Sequence, residues 1–406
     1  MPECVQSTKS AFLWTRVLNI PFWVLLNLLP MILYKDLHIT PWMITMMVVL
    51  KPASALFASY WGALVHERRD RLVFNLVSAN LLRYLPFLFL PWITSPWIII
   101  GAFAFYMMLS RGVIPAWMEI FKENLQGETR SRVFVFGSAL DYLASAILPL
   151  ALGWILDETT FAWHWLFPAT ALLGLFSTLF LFRLHSPKFT AEKKEETFSL
   201  KKEALKPWEE TLRLLRERPD FAKFQIGFML GGAALMVVQP VIPIFFVDVL
   251  NLSYTKMLLA LAVFKSIGYA LASPLWVKLF EKYSIFDFSG RVILLGALFP
   301  ALLILSSFEP SLVYLAYLLY GIFQAGSELC WHMSGPTFSH DKESSAYSTT
   351  NVLSVGVRGC VAPPLGSVLF ALTNSASVLT LGVLLSLLSA YQFIYKAPEA
   401  KEKPLS

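Results

Sequence analysis

The chain has 406 residues, of which 56% are hydrophobic and only 15% charged, and its mean hydropathy of +0.60 lies far from the balance of a soluble domain. A net charge of +6 and a pI near 9.1 do not point to nucleic acid, because the basic residues occur mostly between hydrophobic runs, where orientation in a bilayer accounts for them. Cys4, Cys330 and Cys360 show neither metal-ligand spacing nor a disulfide framework and read as small apolar fillers, so no metal site and no cofactor is expected.

Hydrophobic runs of about 20 residues, each able to cross roughly 30 Å of hydrocarbon as a helix, lie at 11–34, 41–64, 73–92, 96–118, 132–156 and 163–185, then at 221–247, 255–279, 290–308, 310–335, 345–372 and 376–395. The first is of full spanning length and no small-residue cleavage site follows it, which predicts a retained helix and not a signal peptide. An even number of spans puts both ends of the chain on one side. That side collects Lys9, Arg68, Arg69, Arg71, Lys122, Arg130, Arg132, ten basic residues from Arg183 to Arg218, then Lys278, Lys282, Arg291 and Lys342. The other side holds Lys35 and Lys256. By the positive-inside rule the termini and the long middle segment are expected in the cytoplasm, with a bacterial inner membrane as the expected location. Trp42, Trp92, Trp97, Trp163 and Trp165 at one boundary and Trp61, Trp117, Trp276 and Trp331 at the other suit interfacial belts.

The polar segment 186–220 predicts a linker. Pro207 is placed to open a short amphipathic helix with Trp208, Leu212 and Leu215 on one face, ended by Pro219. The expected organisation is therefore a first bundle over 1–185, this linker over 186–220, and a second bundle with a short tail over 221–406.

The two halves repeat each other. Val48–Glu67 reads VVLKPASALFASYWGALVHE and Ala262–Glu281 reads AVFKSIGYALASPLWVKLFE, with Lys51 and Lys265 in register 214 residues apart. At the same offset Tyr106 matches Tyr320, Gly112 matches Gly326 and Trp117 matches Trp331. Leu37-His38-Ile39-Thr40 recurs one residue out of register as Leu250-Asn251-Leu252-Ser253. Tandem repeats of hydrophobic spans are the build of secondary transporters.

This layout resembles the major facilitator superfamily over nearly the whole chain. The family signature between spans two and three is G-x-L-x-D-x-x-G-R-K/R, and Gly62-Ala63-Leu64-Val65-His66-Glu67-Arg68-Arg69-Asp70-Arg71 stands in its place. Gly62, Leu64 and Arg71 match; His66 occupies the aspartate position, Arg69 the second glycine and Asp70 the arginine, with Glu67 as a nearby carboxylate. Ser145–Pro149 is a poor match to the Gly-Pro run of antiporters. The resemblance implies an all-α membrane protein of twelve transmembrane helices in two pseudo-symmetric six-helix bundles. It also implies a transporter and not an enzyme, working as a monomer by alternating access, with spans one, four, seven and ten lining its cavity and two, five, eight and eleven flanking it.

Eight ionisable residues fall within predicted spans: Arg16, Lys51, Arg83, Arg111, Asp141, Lys265, Glu328 and Arg358. Each costs roughly 2.5–3.5 kcal/mol at the bilayer centre unless partners or water relieve it. Matched depth suggests Arg111 with Asp141 and Glu328 with Arg358, as structural ion pairs or as gates. Lys51 and Lys265 remain as cations on equivalent spans. Facing one aqueous cavity they repel unless an anion lies between them; the alternative is that each snorkels or binds helix carbonyls. Polar faces at helical spacing, Arg16, Asn19, Trp23 and Asn27 on the first span and Tyr320, Gln324, Glu328, Trp331 and His332 on the tenth, support such a cavity. Gln225 and Gln239 on the seventh and Asn351, Ser354 and Arg358 on the eleventh add to it.

The expected function is alternating-access transport of a small organic anion. Candidate substrate contacts are Lys51, Lys265, Asn19, Asn27, Gln239, Tyr320 and Gln324, and candidate coupling or gating residues are Arg111, Asp141, Glu328 and Arg358. A proton-coupled drug or cation antiporter built on Asp141 and Glu328 is the alternative. A membrane-embedded enzyme is disfavoured by scattered histidines without a His-Glu-x-x-His spacing, an ATP-driven pump by the lack of a phosphate-binding G-x-x-x-x-G-K-S/T loop, and a channel by the lack of a filter sequence.

Overall fold

A computed structural model describes residues 2–67, 71–125, 133, 147–184, 200–339 and 345–395, which are helical or in short turns with no strand among them. In chain order the helices are α1 (Pro2–Leu37), α2 (Pro41–Glu67), α3 (Leu72–Leu88), α4 (Pro96–Asn124), α5 (147–158) and α6 (Trp163–Phe176). After them come α7 (Leu200–Glu217), α8 (Pro219–Val238), α9 (Lys265–Lys282), α10 (Ile285–Gly296), α11 (Leu312–Ser339), α12 (Ser345–Leu372) and α13 (Ser375–Tyr395). Short helical pieces extend α6 through Leu181, α8 through Val249, and α10 through Leu305, and another, Tyr254–Leu258, leads towards α9. Among the described residues ten helices are long and apolar enough to cross a membrane. The chain is an integral, multi-pass, all-α membrane protein. The two expected spans outside those ten, 41–64 and 132–156, fall on α2 and on a stretch described only at 133 and from 147 onward.

Several elements differ from the sequence expectation for identifiable reasons. The helix α7 does not open at Pro207 but seven residues earlier, at Leu200, since Leu200 to Lys206 are almost all strong helix formers. Its buried face also differs: Leu212 is exposed, while Thr211 is buried and hydrogen-bonds Thr350 at 3.1 Å, and Leu214 and Leu215 pack against the hydrophobic cluster that contains Phe221 and Phe286. The helix α10 begins at Ile285, before the expected 290, because Ser284 caps it by accepting from Asp287 N at 3.2 Å. Two tryptophans assigned to interfacial belts are buried. Trp163 donates to Asp36 Oδ2 at 2.9 Å and Trp276 to the Ile322 carbonyl at 2.7 Å, so each indole N–H is satisfied by protein instead of headgroups.

The repeated tetrapeptides form the same structure twice. His38 and Asn251 hold left-handed backbones, at φ 49° and 48°. The residue after each donates back into the last turn of the preceding helix, Ile39 N to Leu33 O at 3.4 Å and Leu252 N to Phe246 O at 3.0 Å. Each bond spans six residues, one more than the 6→1 bond of a Schellman motif, and each turn is closed by the buried apolar side chain of Ile39 or Leu252.

The helices group into two compact units. The first comprises Met1–Ile39, Ala53–Thr197 and Ser253–Leu258; the second comprises Thr40–Pro52, Phe198–Leu252 and Leu259–Ser406. Inside the first, Phe22 packs edge-on to Tyr84, Phe87 and Phe167. Asp157, at the end of α5, accepts from the backbone N–H groups of Tyr254 and Thr255 at 2.7 and 2.9 Å, and the Tyr254 hydroxyl donates to Asp36 at 2.7 Å. Inside the second, Phe221, Phe224, Phe286, Phe338 and Phe393 form an aromatic core. Thr45 and Ser367 share a hydrogen bond there, and Pro52 rests on Gly359, where any Cβ would lie 2.4 Å from the proline ring.

Candidate functional site

The second unit holds Lys51, Lys265, Gln239, Tyr320, Gln324, Glu328 and Arg358. Lys265, Tyr320, Gln324 and Glu328 are brought together by a close helix crossing. A Cβ on Gly321 would lie 1.9 Å from the Lys265 carbonyl oxygen and one on Gly268 would lie 2.0 Å from that of Leu318, so only glycine at both positions lets α9 and α11 approach backbone to backbone. Immediately before α9 the chain forms a π-helical segment, Leu259–Phe264, a distortion frequent at functional sites. Lys265 follows it as the first residue of α9, and its Nζ lies 5.1 Å from the centre of the Tyr320 ring, within cation–π range. Tyr320 is itself stacked on Phe299 at 4.6 Å.

Across the crossing, Glu328 accepts from Tyr269 OH at 2.6 Å and from Gln324 Nε2 at 3.0 Å. Both partners are donors, an arrangement that suits a carboxylate. Among the described residues no carboxylate reaches ion-pair distance of Lys265, although Glu328 is near enough to act on it electrostatically. The buried Gln324 Oε1 has no partner among them either.

Glu328 and Arg358 do not pair in this structure. Arg358 instead donates to the Phe228 carbonyl at 2.6 Å, lies 4.4 Å over the Phe228 ring, and fills the notch at Gly232, where a Cβ would come within 1.9 Å of its guanidinium carbon. Gln225 donates to Asn351, which donates to Ser334 at 2.8 Å. Gln239 stands at the end of α8 and Lys51 lies partly buried in α2.

The first unit holds Arg16, Asn19, Asn27, Arg83 and Arg111. Arg16 lies 4.6 Å over the Phe12 ring, Asn27 is exposed and donates to the Trp23 carbonyl at 3.0 Å, and Arg111 is exposed on α4. Asp141 lies outside the described residues, and with it the expected Arg111 pair. Asn19 is the centre of a polar network that the sequence did not reveal. Its Oδ1 accepts from both Tyr84 OH and Tyr106 OH, the latter at 2.9 Å. Behind Tyr84, buried Arg83 donates to the Tyr84 hydroxyl at 2.9 Å and to Asn80, which in turn donates to Thr178 at 2.8 Å and Ser177 at 3.2 Å. Gly174 makes room for this, since a Cβ there would lie 2.4 Å from the Tyr84 ring. Arg83 was marked by its charge within a span, but nothing in the spacing of Asn80, Tyr84 or Tyr269 distinguished them from ordinary span residues. In the signature region, Gly62 to Glu67 close α2, while residues 68–70 lie outside the described ones.

Residues 17–363 match the family model described as Major Facilitator Superfamily. The chain belongs to the major facilitator superfamily. As a superfamily member it is a secondary active transporter working by alternating access, and not an enzyme. Solved structures share the fold at low sequence identity. The chain is similar to a mutant form of the nucleoside transporter NupG, with a TM-score of 0.74 at 14% identity, covering 95% of this chain and 99% of that one. It is also similar to a POT family transporter in complex with 5-aminolevulinic acid, with a TM-score of 0.73 at 13% identity over 98% and 96% of the two chains. A bacterial homologue of the human lysosomal transporter Spinster, in an inward-facing conformation, gives 0.64 at 14% identity over 98% and 96%. No curated protein sequence matches this superfamily member.

Proposed function

We propose that this transporter carries a small organic anion, held by Lys265 together with Lys51 of the repeated segment, and that Glu328 exchanges a proton during the cycle. The observation that carries this reading is the state of Lys265. Its ammonium sits on the Tyr320 ring with no carboxylate at ion-pair distance among the described residues, while the nearby Glu328 is engaged by Tyr269 and Gln324. A cation held in that way at membrane depth gains from an anion that completes its coordination. A proton arriving on Glu328 would cancel its competing charge and strengthen the hold on the anion, which supports coupling through this residue. Asn19, Asn27, Gln239, Tyr320 and Gln324 are the proposed further contacts, with Arg111, Asp141 and Arg358 as gating residues.

The same proposal includes twelve spans in two six-helix bundles divided at 186–220, a monomer, cytoplasmic termini and a bacterial inner membrane. The test is a thermal-shift screen of the purified protein against phosphorylated sugars, di- and tricarboxylates, nucleotides, nucleosides and organic cations. A ligand at a hundredfold its Kd stabilises the folded state by about 2.7 kcal/mol. Anions are expected to raise the melting temperature, and Lys265→Gln or Lys51→Gln to remove the shift while the protein stays folded. Stabilisation by cations only, or anion shifts unchanged in both variants, would refute the anion reading.

A further inference from the structure

The hydrogen bonds around Asn19 fix which way its amide faces. Arg83 carries donors only, so its bond to Tyr84 uses the phenol oxygen as acceptor and leaves that hydroxyl's single proton for Asn19. The atom that Asn19 turns towards Tyr84 must therefore be its carbonyl oxygen. Tyr106 sends its own proton to the same oxygen at 2.9 Å. Both tyrosines are buried, so each hydroxyl depends on that acceptor. Asn80 holds Arg83 from the other side and is itself tied to Ser177 and Thr178, so the chain of bonds is anchored from α3 through α6 to α1. The amide nitrogen of Asn19 is left turned away from both phenols, on a partly exposed residue, and donates to nothing among the described residues.

We infer that Asn19 is a fixed hydrogen-bond donor to the cargo, presenting its two amide N–H groups to a carboxylate, phosphate or carbonyl oxygen, and that the Arg83–Tyr84 pair sets its orientation. A site built to donate in this way discriminates strongly against analogues that lack the acceptor, because the donor is then left unpaired. The inference rests on the transport reading only in naming the acceptor as cargo; it does not require Lys265 to bind an anion.

The experiment uses the purified full chain with Cys4, Cys330 and Cys360 replaced by serine. Asn19→Cys is expected to react with 2-sulfonatoethyl methanethiosulfonate within about a hundredfold of the rate at Ser307→Cys, an exposed turn position. A slower rate would mean that position 19 is closed to an oxyanion and would overturn the inference. A thermal series checks the geometry without any ligand. Asn19→Asp keeps the acceptor for both phenols and removes the donors, so its melting temperature is expected to stay within about 2 °C of the parent, whereas Asn19→Leu strands two buried hydroxyls and is expected to fall further. Equal losses in both variants, or none in either, would show that the phenols do not fix the amide. With glucose 6-phosphate, succinate and uridine as probes, any thermal shift seen in the parent is expected to be lost in Asn19→Asp; a retained shift overturns the donor role. If none of the three shifts the parent, the modification rate and the thermal series still decide Asn19. An anion shift that survives Lys265→Gln but not Asn19→Asp would refute the lysine reading alone.

Discussion

Replacing Gly321 by alanine tests whether the α9–α11 crossing is what holds the Lys265 cluster together. The new Cβ would sit 1.9 Å from the Lys265 carbonyl oxygen, 2.8 Å from its carbon and 2.9 Å from the Tyr269 nitrogen, all backbone atoms that cannot swing aside. With non-bonded contacts needing roughly 3.5 Å, the helices must part by about 1.5 Å. The Tyr269–Glu328 hydrogen bond, now 2.6 Å, would then open to about 4 Å and cease to be one. Overpacking of this kind costs about 1–3 kcal/mol and a lost hydrogen bond to a charged group about 1.5–3 kcal/mol, so the combined destabilisation is roughly 2.5–6 kcal/mol. Thermal unfolding of the purified protein measures it against Gly101→Ala, a control at which a Cβ meets nothing within 4 Å. Gly268→Ala should behave like Gly321→Ala, since its Cβ would lie 2.0 Å from the Leu318 carbonyl oxygen. Melting curves for Gly321→Ala that overlay those of Gly101→Ala would refute the reasoning, because the helices would then not be in backbone contact.

Gly174→Ala should cost about 1–3 kcal/mol by displacing the Tyr84 ring, read as a lower melting temperature that Tyr84→Leu in the same chain partly restores. Burial alone would push the Asp157 carboxyl up, but hydrogen bonds from Thr255, Tyr254 and Ser253 outweigh it and hold the group below its ordinary value of 3.8. A depressed folded value means that its contribution is present above the unfolded pKa and is lost as pH falls through the folded one, so the stability gap between the parent and Asp157→Asn should narrow on acidification below about pH 4; a gap independent of pH would contradict this. Reporters fused after Ser406 and within 190–205 should both read as cytoplasmic and one placed at 35–40 as external, and an external reading at Ser406 would sink the twelve-span arrangement.

How much was legible in the sequence depended on the range of the interaction. Span positions followed from hydropathy because a bilayer demands about 20 apolar residues whatever their neighbours. The repeated Leu-His-Ile-Thr and Leu-Asn-Leu-Ser tetrapeptides were visible as a repeat, and their left-handed residues His38 and Asn251 are local features that short sequence controls. Partners were another matter. Glu328 and Arg358 have matching depth and opposite charge, yet the glycine notch at Gly232 and the Phe228 carbonyl take the guanidinium, while Tyr269 and Gln324 take the carboxylate. Depth restricts where a charge sits along a helix, but the rotation and close approach of neighbours decide which group it meets. Trp163 and Trp276 were misplaced for the same reason: an indole near a span edge satisfies its N–H equally well with a carboxylate or a carbonyl as with a headgroup, and only packing chooses.

The repeat also separates scaffold from chemistry. Both halves keep the helix stop, the lysine and the tyrosine that follows it in the fourth span of each half. The equivalent tyrosines nevertheless do different work: Tyr106 donates to Asn19, whereas Tyr320 lies beneath Lys265. At the repeat offset, Asn19 corresponds to Ala233 and Arg83 to Ala297, so the second half has neither the amide nor the buried guanidinium. Conversely, the Gly268–Gly321 crossing corresponds to Ser54 and Met107 in the first half, which rules out the same backbone approach there. Features shared by both halves suit the symmetric demand of alternating access, in which repeated halves move alike. Recognition of an asymmetric cargo has no such constraint. On the proposed reading, the contacts that distinguish one cargo from another are to be sought where the repeat fails, at Asn19 with its Arg83–Tyr84 support and at Glu328 with Tyr269 and Gln324, while the lysine common to both halves would supply charge without shape.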